Sequence, residues 1–194
     1  MLTTLAILKA RVGLETFDTT DDAVLANLLS FVSARFAAEC NRIFDYGVGV
    51  TYEFRAEEMR ILVDRPPIES VSQFELKTTE SAGWILQPTL DYLLSPRRSV
   101  IEFNVPLGAI GQLGRVTYTG GFVLPGGNPT GNQLPLPAAI ELACMEQVAY
   151  WYQRRAQLGL VSVSSGDTTV QQFQSTDLLP QVRAVLKHYE RWVN

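Results

Sequence analysis

The sequence predicts an α+β fold: about four helices, with a small antiparallel β region between the second and the third. Three observations predict it. Apolar residues recur at helical spacing near both ends, as in Leu25, Leu28, Leu29, Val32 and Phe36, and again in Ile140, Cys144, Val148 and Trp151. Between Gly49 and Phe122 the pattern changes to short alternating runs. A stretch from Gly120 to Pro137 with five glycines and four prolines then punctuates the chain before the helical pattern returns. The length of 194 residues and the 46% hydrophobic content suit one compact domain with appendages.

The first helix is short. Thr3 or Thr4 caps it, Leu5, Leu8 and Val12 form its face, and Gly13 stops it. In the second, Thr19 and Asp22 stand at the spacing of a capping box, and Asp21 and Asp22 meet the positive end of the helix dipole. That helix ends near Asn41 or Arg42. Residues 51–55 and 59–64 read as two strands joined as a hairpin across Ala56, Glu57 and Glu58. Pro66 and Pro67 interrupt the ladder, and further strands are expected at 70–77, 83–86, 92–94, 100–103 and 115–119.

The Gly120–Pro137 stretch reads as a contact loop or slack, because irregular loops longer than about 12–15 residues are uncommon unless they bind something. Phe122, Leu124, Asn128 and Leu134 are its candidate interface residues. Pro137 opens the third helix, Arg154 and Arg155 sit near its end, and Gly159 lies just beyond. Ser162 to Thr176 is too polar to build a core and reads as a flexible connection. The last helix is capped by Thr176 or Asp177, with Pro180 in its first turn and Leu178, Val182, Val185, Leu186, Tyr189 and Val193 along one face. The expected organisation is a core domain over 1–160, then an arm and an amphipathic helix over 161–194.

The chemistry-bearing residues assemble into nothing catalytic. One histidine, His188, lies on the polar side of the last helix, which leaves no histidine-based metal cluster and no triad. Cys40 and Cys144 read as buried thiols. The glycines at 108, 111 and 114 match neither a dinucleotide fingerprint nor a phosphate loop. Asp21, Asp22, Glu57, Glu58 and Asp64 have local explanations in capping and turns. No catalytic, cofactor-binding or metal-ligating residue is assigned. A net charge of -4 disfavours a general nucleic-acid binder. The start of the chain lacks the basic-then-apolar order of a secretory signal, and no apolar run has the roughly 20 residues of a membrane span. Of the 16 basic residues only Lys9, Lys77 and Lys187 are lysines. Arginine suits interfaces through its planar, multi-donor head.

In order and spacing these pieces resemble the head-tail connector, or head-completion adaptor, family of long-tailed bacteriophages. The carriers are Leu2-Thr3-Thr4-Leu5 with Leu8-Lys9, the Asp21-Asp22 helix start and the Asn41-Arg42 exit. Arg65-Pro66-Pro67-Ile68 and Val116-Thr117-Tyr118-Thr119-Gly120-Gly121-Phe122 follow, then the helix from Leu136-Pro137 to Tyr150-Trp151-Tyr152-Gln153-Arg154-Arg155. The resemblance implies a non-enzymatic subunit of a ring, commonly of twelve copies, in the virion at the head-tail interface, assembled in the host cytoplasm. Its implied partners are copies of itself, the portal protein, and a tail-side neck or tail-completion protein, with DNA passing through the channel without sequence-specific binding. No cofactor and no membrane are implied. The last helix, through Leu178, Val182, Val185, Leu186, Tyr189 and Val193, is expected either to dock on the portal or a neighbouring subunit or to pack on its own core. The alternatives from other classes are a small carboxylate-dependent hydrolase and a nucleic-acid-binding module using Arg97, Arg98, Arg154 and Arg155.

Overall fold

The computed structural model describes residues 1–155 and 177–192. The chain divides into two compact units, a helical one (Met1–Cys40 with Pro137–Glu190) and a β unit (Asn41–Leu136 with the C-terminal residues from Arg191). The polar connection expected at 162–176 lies outside the described residues, as does Val193.

The helical unit contains α1 (Leu5–Val12), α2 (Asp22–Glu39), α3 (Ala138–Gln153) and α4 (Pro180–Lys187). In α1 the Thr4 side chain accepts from the Ile7 amide, and Gly13 closes the helix in the left-handed region at φ 76°. Leu25, Leu29, Val32 and Phe36 of α2 are buried, as are Ile140, Cys144, Val148 and Trp151 of α3, so the periodic stripes do face a core. The capping box at Thr19 does not form. The cap position belongs to Asp21, which makes no capping bond, because Asp22 is drawn to Lys9 and Asp21 accepts from the Tyr152 hydroxyl. Helix α2 ends at Cys40, and Asn41 turns the chain at φ 48°, a conformation asparagine tolerates.

Helix α4 is shorter than the periodicity suggests, ending at Lys187 with His188 as its C-cap. Beyond it Arg191 belongs to the β unit: its Nη1 donates to the Leu62 carbonyl at 2.9 Å and its guanidinium lies 5.5 Å from the Tyr52 ring centre.

The β region is larger than the sequence suggests. Nine strands are described: β1 (Gly47–Arg55), β2 (Arg60–Leu62), β3 (Ile68–Lys77), β4 (Ile85–Leu86), β5 (Tyr92–Leu94), β6 (Val100–Phe103), β7 (Leu113–Gly120), β8 (Phe122–Val123) and β9 (Leu134–Pro135). They form a four-stranded sheet of order β1-β7-β3-β4, a three-stranded sheet β2-β6-β5 and a parallel pair β8-β9. The hairpin expected across Ala56–Glu58 is absent: β1 pairs with β7 and β2 with β6, each antiparallel. The reason is the core, to which both sheets contribute: Phe54, Phe74, Val116 and Tyr118 from one, Ile61, Ile101 and Phe103 from the other. Splitting β1 from β2 puts Phe54 and Ile61 into that shared core. The Gly/Pro stretch is likewise not wholly irregular, because β8 and β9 close its two ends against each other.

Candidate interaction surfaces

Three stretches distant in sequence converge on one corner of the β unit. Tyr118 on β7 donates its hydroxyl to Asp64 Oδ1 at 2.6 Å and accepts from the Arg65 amide at 3.1 Å. Burial, followed by the hydrogen bond to Asp64, raises the Tyr118 pKa well above the usual phenolic range. Arg65 Nη1 reaches the carbonyl oxygen and Oδ2 of Asp45, both at 2.8 Å. The Arg42 guanidinium bonds the Pro66 carbonyl and lies 4.9 Å and 5.4 Å from the ring centres of Phe44 and Phe122. A Cβ at Gly120 would lie 2.7 Å from the Pro67 carbonyl oxygen and 2.8 Å from that of Arg65, so the strand passes this corner only without a side chain. Gly121 has φ 100° and donates its amide to Pro67. Arg42, the Arg65–Ile68 run and the Tyr118–Phe122 run are thus parts of a single joint that fixes the start of the Gly/Pro loop.

Beyond the joint the loop residues divide. Phe122 is buried in its own unit and Leu124 is half-buried, whereas Asn128 is exposed and Leu134 is 49% exposed. The Tyr46 hydroxyl bonds Glu69 nearby, and that bond raises its pKa.

In the helical unit, Lys9 is 3% exposed. Its Nζ donates to the carbonyls of Thr16 (3.1 Å) and Asp18 (2.6 Å) and lies 2.5 Å from Asp22 Oδ1, which pins the α1–α2 connection. Asp18 is lowered by its backbone hydrogen bond from Thr20, the direction opposite to that of a general acid. The face of α4 is divided too: Leu178, Val182 and Leu186 are buried in their own unit, while Val185 and Tyr189 are half-buried. Gln147 of α3, fully buried, accepts the Leu179 amide at 2.8 Å and holds the start of α4.

The residues considered for chemistry have structural surroundings. Cys40 and Cys144 are buried thiols outside any disulfide, Cys40 Sγ donates to the Leu186 carbonyl at 3.6 Å, and burial pushes the Cys144 thiol up to about 12. Arg154 and Arg155 lie 4.6 Å and 4.3 Å from the ring centres of Tyr150 and Tyr152, and Arg155 pairs with Asp21 at 3.5 Å. Arg98 adopts φ 51° and uses its carbonyl to accept the Ile68 amide at 2.7 Å. Among the described residues no group of acidic, histidine or cysteine side chains is placed to hold a metal ion, and no helix is long and apolar enough to cross a membrane.

One surface was not foreseen from the sequence. Where β1 and β2 diverge they leave a groove of about 870 Å3, lined by Tyr52, Phe54, Met59, Leu62, Leu113 and Trp192 among others. The alternation in residues 51–55 was its only sequence signal, and it pointed to a closed hairpin.

The chain is similar over 97% of its length to a chain in the neck of an empty gene transfer agent (GTA) particle computed with C6 symmetry, of which 89% is covered, at 15% identity and a TM-score of 0.59. It is similar to a chain in the virion of a native GTA particle (14% identity, TM-score 0.59, 97% and 89% covered). A third likeness is to a chain in the neck of a native GTA particle computed with C12 symmetry (14% identity, TM-score 0.55, 97% and 91% covered). At these identities the likeness is one of fold. No curated protein matches in sequence. The profile of the family described as head completion protein matches residues 2–192, and the chain belongs to that family.

Proposed function

We propose that this head-tail structural adaptor works as a closed ring, of twelve copies, between the portal protein and a tail-side neck or tail-completion protein, continuing the DNA channel. The observation that carries the reading is the family match over residues 2–192. The symmetric GTA necks, with chains of this fold, support the ring. The role is structural and uses no cofactor. Its contacts are made by what the two units leave outward: Asn128 and Leu134 on the Gly/Pro loop, and Val185 and Tyr189 on α4, which face the portal or a neighbouring subunit. The net charge of -4 suits a channel, since an acidic wall does not hold the phosphates of a passing duplex.

Co-sedimentation of the full chain with the portal protein of the same particle tests the reading. Twelve adaptor subunits bound per portal ring are expected. Failure to co-sediment at tens of micromolar would contradict it.

A further inference from the structure

We propose that neighbouring copies join edge to edge through the four-stranded sheet, β4 of one copy pairing with β1 of the next. The inference deepens the ring reading and rests on it. In the order β1-β7-β3-β4, the strands β1 and β4 each have a strand neighbour on one side only. A free edge presents a row of backbone N–H and C=O groups ready to pair, and proteins ordinarily limit it by a short strand, charge, proline or a bulge. Here β4 consists of Ile85 and Leu86, which are 49% and 53% exposed. The strand is only two residues long and Pro88 follows two positions on, so what it offers a neighbour is chiefly this exposed apolar pair and not a long backbone ladder. On the opposite edge β1 runs for nine residues, with Val48 76% exposed.

The two edges also differ in shape, as a head-to-tail contact requires. Strand β4 is a short apolar ridge held in place: Trp84 beside it lies 4.3 Å from Arg115 and 5.7 Å from Lys77, and the Gln87 amide donates to Phe74 at 2.8 Å. Strand β1 borders the groove, whose wall carries Tyr52 and the 71% exposed ring of Trp192. A ridge entering a groove buries apolar surface while the backbones pair. Because β1 and β4 are opposite edges, the contact is heterologous, and repetition by rotation closes a ring. Pairing β1 with β1, or β4 with β4, would stop at a dimer.

The test uses the full chain assembled with its portal, carrying Glu53→Cys on β1 and Leu86→Cys on β4, with Thr51→Cys and Ile85→Cys as a second pair. All four positions are exposed, and the native Cys40 and Cys144 are buried. A bis-maleimide spanning about 10 Å tolerates a register slip of about three residues at roughly 3.4 Å per residue. Either double variant should give a ladder of covalent multimers, and each single variant only monomer. Dimers from a single variant alone would overturn the proposal, as would rings in the micrographs without a ladder from either pair. Absence of rings with the unmodified chain would bring down the ring reading and this inference with it.

Discussion

The Tyr118 hydroxyl bridges Asp64 and the Arg65 amide, at 2.6 Å and 3.1 Å, across 54 and 53 positions of sequence. It joins the end of β7 to the turn that carries Pro66 and Pro67. Tyr118→Phe leaves the Asp64 carboxylate and the Arg65 amide without this partner, at a cost of about 1–3 kcal/mol. A lowered urea midpoint with unchanged slope is expected; an unchanged midpoint would mean that the bridge does not hold the corner.

The same residue gives a pH signature. The folded pKa of Tyr118 lies above its unfolded value of about 10, so the folded state holds the proton more tightly. Its contribution is complete below about pH 10 and is lost as pH rises beyond that, with a limiting slope of about 1.4 kcal/mol per pH unit. Tyr46 and Tyr152, raised chiefly by their hydrogen bonds to Glu69 and Asp21, add to the decline. Denaturation at pH 9, 10 and 11 should show stability falling, and Tyr118→Phe should flatten the fall.

Lys9 is the corresponding fastener of the helical unit. Lys9→Met keeps the aliphatic bulk but deprives two carbonyls and the partly exposed Asp22 of their cation. The expected loss is about 2 kcal/mol, below the range for a fully buried pair because Asp22 is 30% exposed. Thermal unfolding followed by circular dichroism at 222 nm checks it.

At Gly120 even the smallest side chain is excluded. Gly120→Ala sets a methyl against two backbone carbonyls, which shift only if the β3–β7 register shifts. A loss of about 2 kcal/mol or more is expected, comparable to overpacking a core. Ordinary thermal stability in that variant would show that the corner yields.

Thiol chemistry reports on the cores. With the Cys144 thiol pushed up to about 12 and Cys40 buried, the native chain should react with neither thiol at pH 8, and with both in denaturant. Fast labelling of the native chain would argue against the α2–α3 packing.

How much of this was legible in the sequence follows the range of the interactions involved. Thr4, Gly13 and the stripes of α2 and α3 act within a few residues, and strands β5 and β6 fall where alternation puts them. Pairings were not legible, because the core decides them: Phe54 and Ile61 are seven positions apart, which invites a hairpin, yet they belong to different sheets. The same tertiary pull moved Asp22 from a capping box to Lys9. Of the interface residues, periodicity marked Val182 and Leu186 as apolar, but could not tell that their own helical unit would bury them. The motif stretches around Pro66 and Gly120 were visible as separate pieces. Only the fold shows them as one joint.

The central claim is tested most directly by electron microscopy of the full chain mixed with the portal protein of its particle. An added ring beneath the portal, with matching symmetry and a channel through its centre, is the expected result. A portal that stays bare at high adaptor concentration, with the adaptor itself folded, would contradict it.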